Sequence, residues 1–321
     1  MQAQSEHTPT GDSRAVRLEA FGGPGVLDVR EVPAPQAGPG QIRVRVTAAG
    51  LNPMDWIMTA DADTAARFGL TLPAGFGTDY AGVVDQVGAG VTGFAPGDRV
   101  FGGALSRAVA DFVVVDPAGD TAANEAHHTP AGVDDRTAAT LTIAGRTAAA
   151  ALAAVGPGPG DTVLIGGAGG GVGVFAVQLA RIAGARVIGT GSAASADYLR
   201  ELGAEPVAYG EGLADRVRAL APGGIAAAVD LHGVETVHVA RELGVPDSRI
   251  CTIAAQVDGV AAANGANAAP GALEEIAGLV AAGRLWVPVA ATFPIEEIRR
   301  AAELQAGRHV RGKVVIDLAT A

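Results

Sequence analysis

The feature that most constrains this chain is GGAGGGVG at 166–173, eight residues set between two apolar stretches. DTVLI before it reads as a buried strand, VFAVQLARIAG after it as a helix, and ARVIGT at 185–190 as a second strand. A strand that runs through glycines straight into a helix belongs to a parallel βαβ unit. The literal G-x-G-x-x-G spacing does not fit. Gly167, Gly170 and Gly173 instead give a small-x-x-G-x-x-G spacing that meets the same needs. These are a tight turn, backbone N–H groups brought up to a pyrophosphate, and close packing of helix on sheet. The positive end of the helix then faces the phosphates. A flexible glycine turn is the competing reading, and the apolar runs flanking the glycines count against it.

The second strand bears on which dinucleotide binds. NAD sites usually place an Asp or Glu about 20 residues beyond the glycines, where it accepts from the ribose 2′-OH. Here that position reads Gly189-Thr190-Gly191-Ser192, and the first acid is Asp197, inside the next helix. With no carboxylate to repel a 2′-phosphate, NADPH is the expected cofactor. An Asp at Gly191 is expected to reverse the preference.

The alternation continues after 190. Helix ADYLRELG, strand EPVAY, helix LADRVRAL, strand IAAAVD, helix VETVHVARELG and strand SRICTIA follow in order. That repeat predicts a doubly wound parallel sheet. Before it, DDRTAATLTIAGRTAAAALAAV at 134–155 predicts one long helix, its acidic start suited to the helix dipole. From Arg14 to about Asp120 the signals are short and β-like: IRVRV, AGVVDQVG, DRVFG and DFVVV, with Gly and Pro between them. An all-β, barrel-like first domain is expected there, behind a polar, disordered tail at 1–13. A loop rich in Ala, Asn and Gly at 254–271, two more helices and the strand GKVVIDL close the chain.

Composition narrows the function classes. A net charge of −11, with no Lys/Arg cluster, argues against nucleic acid and against an anionic membrane surface as partners. Cys251 is the only cysteine, so no intrachain disulfide or four-cysteine zinc site can form. The first 13 residues show no basic-then-apolar pattern, and a cytoplasmic location is expected.

With these motifs in hand, the chain resembles the medium-chain dehydrogenase/reductase superfamily, and specifically its zinc-free quinone oxidoreductase branch. AAGLNPMDW (48–56), GTDYAGVVDQVGAGVTGFAPGDRVFG (77–102), PGDTVLIGGAGGGVG and RGKVVIDL carry the resemblance, which covers nearly all of 14–321. It implies a GroES-like catalytic domain at 14–125 and 262–321, with a Rossmann domain at 126–261 inserted between, and an active site in the cleft. Zinc-dependent relatives have a cysteine where this chain has Asn52, and a His-Glu pair where it has Thr78-Asp79, so no metal is expected. His127-His128, the one histidine cluster, is read as a solvated pair.

The resemblance also implies roles by position. Gly170, Gly171 and Val172 line the pyrophosphate, Ser192 approaches the 2′-phosphate, and Tyr209 stacks near the adenosine phosphate. Thr147, Ile253 and the Gly312-Lys313 backbone lie near the nicotinamide; a helix-packing hydroxyl is the alternative for Thr147. Where many relatives carry a lysine after Ser192, this chain has Ala196-Asp197. Asn52 and Tyr80 are the candidate donors that polarise a carbonyl substrate, and for Tyr80 core packing is the favoured reading. Asp55 is read as a helix cap. Met54, Trp56 and Met58 either wall a flat substrate or fill the core. The implied activity is reduction of a quinone or another conjugated carbonyl by NADPH. Reduction of a carrier-bound enoyl thioester, and NADPH binding without turnover, are the alternatives. The strand 248–254 is expected at the sheet edge, pairing with its own copy in a homodimer.

Overall fold

The computed structural model describes residues 12–119 and 123–319. The β unit is organised around Ile42–Leu51, which pairs antiparallel with Asp79–Val87 on one side and Lys313–Asp317 on the other. The full sheet runs Val289–Pro294, Lys313–Asp317, Ile42–Leu51, Asp79–Val87, Arg99–Ala104, Asn124–His128, and Phe112–Val115 also pairs with Ile42–Leu51. A smaller sheet of Asp28–Pro33, Asp12–Leu18 and Ala74–Gly75 accompanies it. Alternate inward side chains, among them Val44, Val46, Val100 and Ile316, are fully buried and share one core. The last strand is thus built into the first β unit, and it delivers Lys313 beside Asn52.

Between those segments lies a six-stranded sheet of parallel pairs, in the order Glu205–Ala208, Arg186–Gly191, Thr162–Gly166, Ala227–Asp230, Ile250–Thr252, Ala261–Ala262. Val163, Leu164 and Ile165 have no exposed surface, as expected for a strand covered on both faces. Burial of each is worth about 1.5–3 kcal/mol. The chain is therefore a GroES-like β unit joined to a Rossmann-type sheet.

Four expectations are corrected. Strand Asp12–Leu18 takes in two residues assigned to the tail: Asp12 pairs with Pro33 and Ser13 with Val32. The remainder of that tail, 1–11, lies outside the described residues. The first β unit also contains two short helices, Pro53–Ile57 and Ala62–Arg67. Each has a local start signal: Asp55 accepts from the Asn52 N–H at 2.7 Å ahead of Pro53, and Asp61 accepts from the Thr64 N–H at 2.8 Å.

The helix expected over 134–155 is two, Asp135–Ala138 and Thr142–Val155. The second starts afresh because Asp79, on the neighbouring strand, accepts the Ile143 N–H at 3.1 Å. A Cβ on Gly50 would lie 2.0 Å from the Ala139 carbonyl oxygen, so only glycine admits the strand this close to the break.

Finally, strand Ile250–Thr252 is not an edge. Ala261–Ala262 pairs with its outer side, and the Ile253 N–H donates to Asp230 at 3.0 Å within the same chain. The basis for a dimer through this strand is thereby removed. Arg249 does not cover an edge either; it pairs with Asp161 at 2.7 Å. Among the described residues, no helix is long and apolar enough to cross a membrane.

Candidate functional site

Strand Thr162–Gly166 ends where the strand order reverses, between Arg186–Gly191 and Ala227–Asp230. Open α/β sheets bind ligands at that point. Gly167 turns the chain with φ +69°, and its N–H donates to Thr190 Oγ1 at 3.1 Å. The Gly170 N–H closes the turn on the Gly167 carbonyl at 3.1 Å, and helix Gly173–Ile182 begins. A Cβ on Gly173 would sit 2.4 Å from the carbonyl oxygens of both Gly167 and Ala168. Among the described residues, the N–H groups of Gly171, Val172 and Gly173 donate to no protein acceptor. Three free donors at the positive end of a ten-residue helix fit a diphosphate.

The C-terminal strand closes on this turn. The Gly312 N–H donates to the Gly169 carbonyl at 3.0 Å, and the Lys313 Cδ lies 3.2 Å from where a Cβ on Gly171 would be. Lys313 is 2% exposed. Its ammonium donates to Asn52 Oδ1 at 2.5 Å and stands 3.8 Å from Asp79 Oδ2. Asn52 Nδ2 donates to Asp79 Oδ2 at 3.0 Å. Behind them, the Thr78 hydroxyl donates to Asp55 Oδ1 at 2.8 Å. Burial, and then the nearby Asp79 charge, push the Asp55 carboxyl up to about 7. Burial raises Asp79 to about 6, against the pull of Lys313. Burial lowers Lys313, although both carboxylates favour its charge. The glycine loop of one unit and a buried polar cluster of the other thus meet at Lys313.

The other residues singled out from sequence fall differently. Tyr80 is fully buried and its hydroxyl donates to the Glu125 carbonyl at 2.9 Å; burial pushes its pKa far above the ordinary value. It packs the core, and its proton is committed away from any substrate. The Thr147 hydroxyl donates back to the Ile143 carbonyl at 2.6 Å, the helix-packing alternative, while lying 3.5 Å from where a Cβ on Gly265 would be. Met58 fills the core with no exposed surface, Trp56 packs half-buried against the same core, and Met54 is half-buried. Ser192 is exposed at the end of its strand, Ile253 is half-buried, and Tyr209 is exposed. Gly191 is tightly enclosed: a Cβ there would meet Ser195 Oγ at 2.5 Å and Leu199 Cδ1 at 2.7 Å. A side chain at 191 therefore collides with the following helix, and a cofactor switch belongs at Ser192 instead.

The histidine pair divides: His128 is exposed, as expected, and His127 is half-buried. Strand alternation turns the two rings apart. His128 stacks on Phe94 with centroids 4.6 Å apart, whereas His127 bridges Glu125 at 3.1 Å and Glu274 at 3.0 Å. Arg146 holds the same Glu125 at 2.5 Å. Sequence reading also missed Tyr198, whose ring approaches within 3.3 Å of a Cβ position on Gly169 and whose buried hydroxyl has no partner among the described residues. Arg311 acts on that hydroxyl electrostatically.

Two family descriptions match the chain, "Alcohol dehydrogenase GroES-like domain" over residues 38–196 and "Zinc-binding dehydrogenase" over 171–276. The chain belongs to the medium-chain dehydrogenase/reductase superfamily. Within that superfamily it falls in the quinone oxidoreductase-like branch. It is 37% identical over 182 residues to the quinone oxidoreductase of Rattus norvegicus, which is 55% of this chain and 52% of the rat protein. It is 39% identical over 198 residues to the spectinabilin polyketide synthase system protein NorB of Streptomyces orinoci, 59% of this chain and 8% of that one. The aligned part thus spans about half of the rat protein and a small fraction of the polyketide synthase. The quinone oxidoreductase structure from Coxiella burnetii superposes with a TM-score of 0.79 at 26% identity, covering 96% of this chain and all of that one.

Zinc, named in one of those descriptions, does not fit this site. Asn52 and Asp79 both already face the Lys313 ammonium, a cation. Among the described residues, no group of three or more His, Cys, Asp or Glu is arranged to hold a metal ion.

Proposed function

We propose that the chain is an NADPH-dependent oxidoreductase that works without zinc and reduces a quinone or another conjugated carbonyl compound. The observation that carries this reading is the junction at Lys313, where a loop fitted to a diphosphate abuts a buried amide able to donate to a carbonyl oxygen. NADPH, when bound, supplies the hydride. Gly171, Val172 and Gly173 hold the diphosphate through their free N–H groups, with Gly167 and Gly170 shaping the turn. Ser192, exposed at the end of the second strand, meets the 2′-phosphate in this proposal. Tyr209, Thr147, Ile253 and the Gly312-Lys313 backbone complete the cofactor cleft in this proposal. Asn52 donates an N–H to the substrate oxygen as negative charge develops there, the role a metal would otherwise fill. Trp56 and Met54 offer apolar surface to a flat ring.

Cofactor choice is tested at Ser192, which has open space where Gly191 has none. Ser192→Asp places a carboxylate that repels a 2′-phosphate and accepts from a 2′-OH. Wild type binds NADPH more tightly than NADH, and the variant reverses that order in fluorescence titrations. Equal affinities in the wild type contradict the preference.

A second reading, reduction of a carrier-bound enoyl thioester, is favoured by the similarity to a polyketide synthase system protein. Faster NADPH consumption with an enoyl thioester than with a free quinone would select it.

A further inference from the structure

We propose that Lys313 and Asp79 are positioning residues that lock the Asn52 amide in the one orientation able to donate to a substrate oxygen. This rests on the functional reading above. A carboxamide carries one carbonyl acceptor and two N–H donors, and its two ends are nearly the same shape. Packing alone does not tell one orientation from its flip. Here the charges do. Oδ1 faces the Lys313 ammonium at 2.5 Å, and Nδ2 faces Asp79 Oδ2 at 3.0 Å. A flip would set the carbonyl oxygen against a carboxylate and the NH2 against an ammonium. In a site where Asn52, Asp79 and Lys313 are 3%, 0% and 2% exposed, water does not screen those repulsions.

The hydrogen-bond accounting gives the consequence. The carbonyl accepts from Lys313 and one N–H goes to Asp79, and among the described residues the second N–H has no protein partner. With Oδ1 turned to Lys313 and one N–H to Asp79, the group Asn52 has left to offer a substrate is an N–H donor. Each partner is itself fixed from a different part of the fold: Asp79 by the Ile143 N–H at the helix start, and Lys313 by its stem against Gly171. The lock therefore forms only where the β unit, the helix Thr142–Val155 and the nucleotide loop come together. A buried ion pair is a poor way to gain stability compared with apolar side chains of the same size. Holding a dipole in a chosen direction is something those apolar side chains cannot do.

The test compares Lys313→Met, Lys313→Arg, Asn52→Ala and the double variant Asn52→Ala/Lys313→Met. NADPH oxidation is followed with 1,4-naphthoquinone and 2-cyclohexen-1-one, and NADPH affinity by fluorescence. Lys313→Met lowers kcat about ten- to a hundredfold, within the range for a lost or misdirected donor. It leaves KM and the NADPH Kd within about threefold. Lys313→Arg recovers most of kcat. In the Asn52→Ala background, Lys313→Met changes kcat less than about twofold, because the residue it acts through is gone. Multiplicative losses in the double variant, or a Kd that rises in step with the loss of kcat, overturn the proposal. If Lys313→Met does not fold with Asp79 left unpaired, Asp79→Asn/Lys313→Met removes both charges and is held to the same outcomes. A wild type that oxidises NADPH with neither acceptor defeats the functional reading. The 15N spectrum of the Asn52 side chain then decides the orientation claim separately. One sharp NH2 pair that broadens in Lys313→Met supports it, and an unchanged pair overturns it.

Discussion

Gly173→Ala is expected to weaken NADPH binding about a hundredfold while leaving a folded protein. The added Cβ would lie 2.4 Å from the carbonyl oxygens of Gly167 and Ala168, both backbone atoms of the turn, so the turn itself has to open. Overpacking of this kind costs about 1–3 kcal/mol of stability. Opening the turn moves the Gly171, Val172 and Gly173 N–H groups, which among the described residues donate to no protein acceptor. Charge-assisted hydrogen bonds are worth about 1.5–3 kcal/mol each. Loss of two amounts to about 3 kcal/mol, or roughly a hundredfold in Kd. Fluorescence titration with NADPH measures this, and a thermal melt shows whether the variant is folded. A folded variant with unchanged affinity would place the cofactor elsewhere.

Asp55→Asn is expected to remove a large pH dependence of stability. Asp55 is fully buried, and burial first, then the Asp79 charge, raises its carboxyl from 3.8 to about 7. The folded state therefore keeps a proton that the unfolded chain gives up near pH 4. Folded chain binds more protons than unfolded between about pH 4 and 7, so stability falls as pH rises through that window. The full difference is worth about 4 kcal/mol. Asparagine has the same shape and no charge to bury. It keeps an oxygen for the Asn52 N–H that Asp55 now accepts at 2.7 Å. Urea unfolding of both proteins should give similar stabilities near pH 4, with the variant the more stable by about 4 kcal/mol at pH 8. Parallel curves would show that Asp55 is charged in the folded protein throughout.

The parts of the fold that local rules determine were legible in the sequence. Glycine spacing at 167, 170 and 173 and the apolar runs around it specify a strand–turn–helix without help from the rest of the chain. The βα alternation gave the parallel sheet for the same reason. Where contacts distant in sequence decide, the reading failed. The helix over 134–155 is periodic throughout, and what divides it is Asp79, 64 residues before Ile143. The supposed edge strand is covered by Ala261–Ala262, two residues too plain to announce themselves. In the site, Asn52 was legible from its motif, but the direction of its amide is set by Lys313, 261 residues away. Tyr80, a donor by type but read first as core packing, is buried as that reading expects, and the fold adds that its hydroxyl is spent on the Glu125 carbonyl.

The most direct test of the central claim is a steady-state assay of NADPH oxidation by the purified chain, with excess EDTA, across free quinones, enones and enoyl thioesters. The account predicts rapid NADPH consumption with a quinone or enone, slower consumption with NADH, and no loss of rate on chelation. Binding of NADPH with no oxidation in the presence of any acceptor would contradict it, and so would activity that disappears with EDTA and returns with zinc.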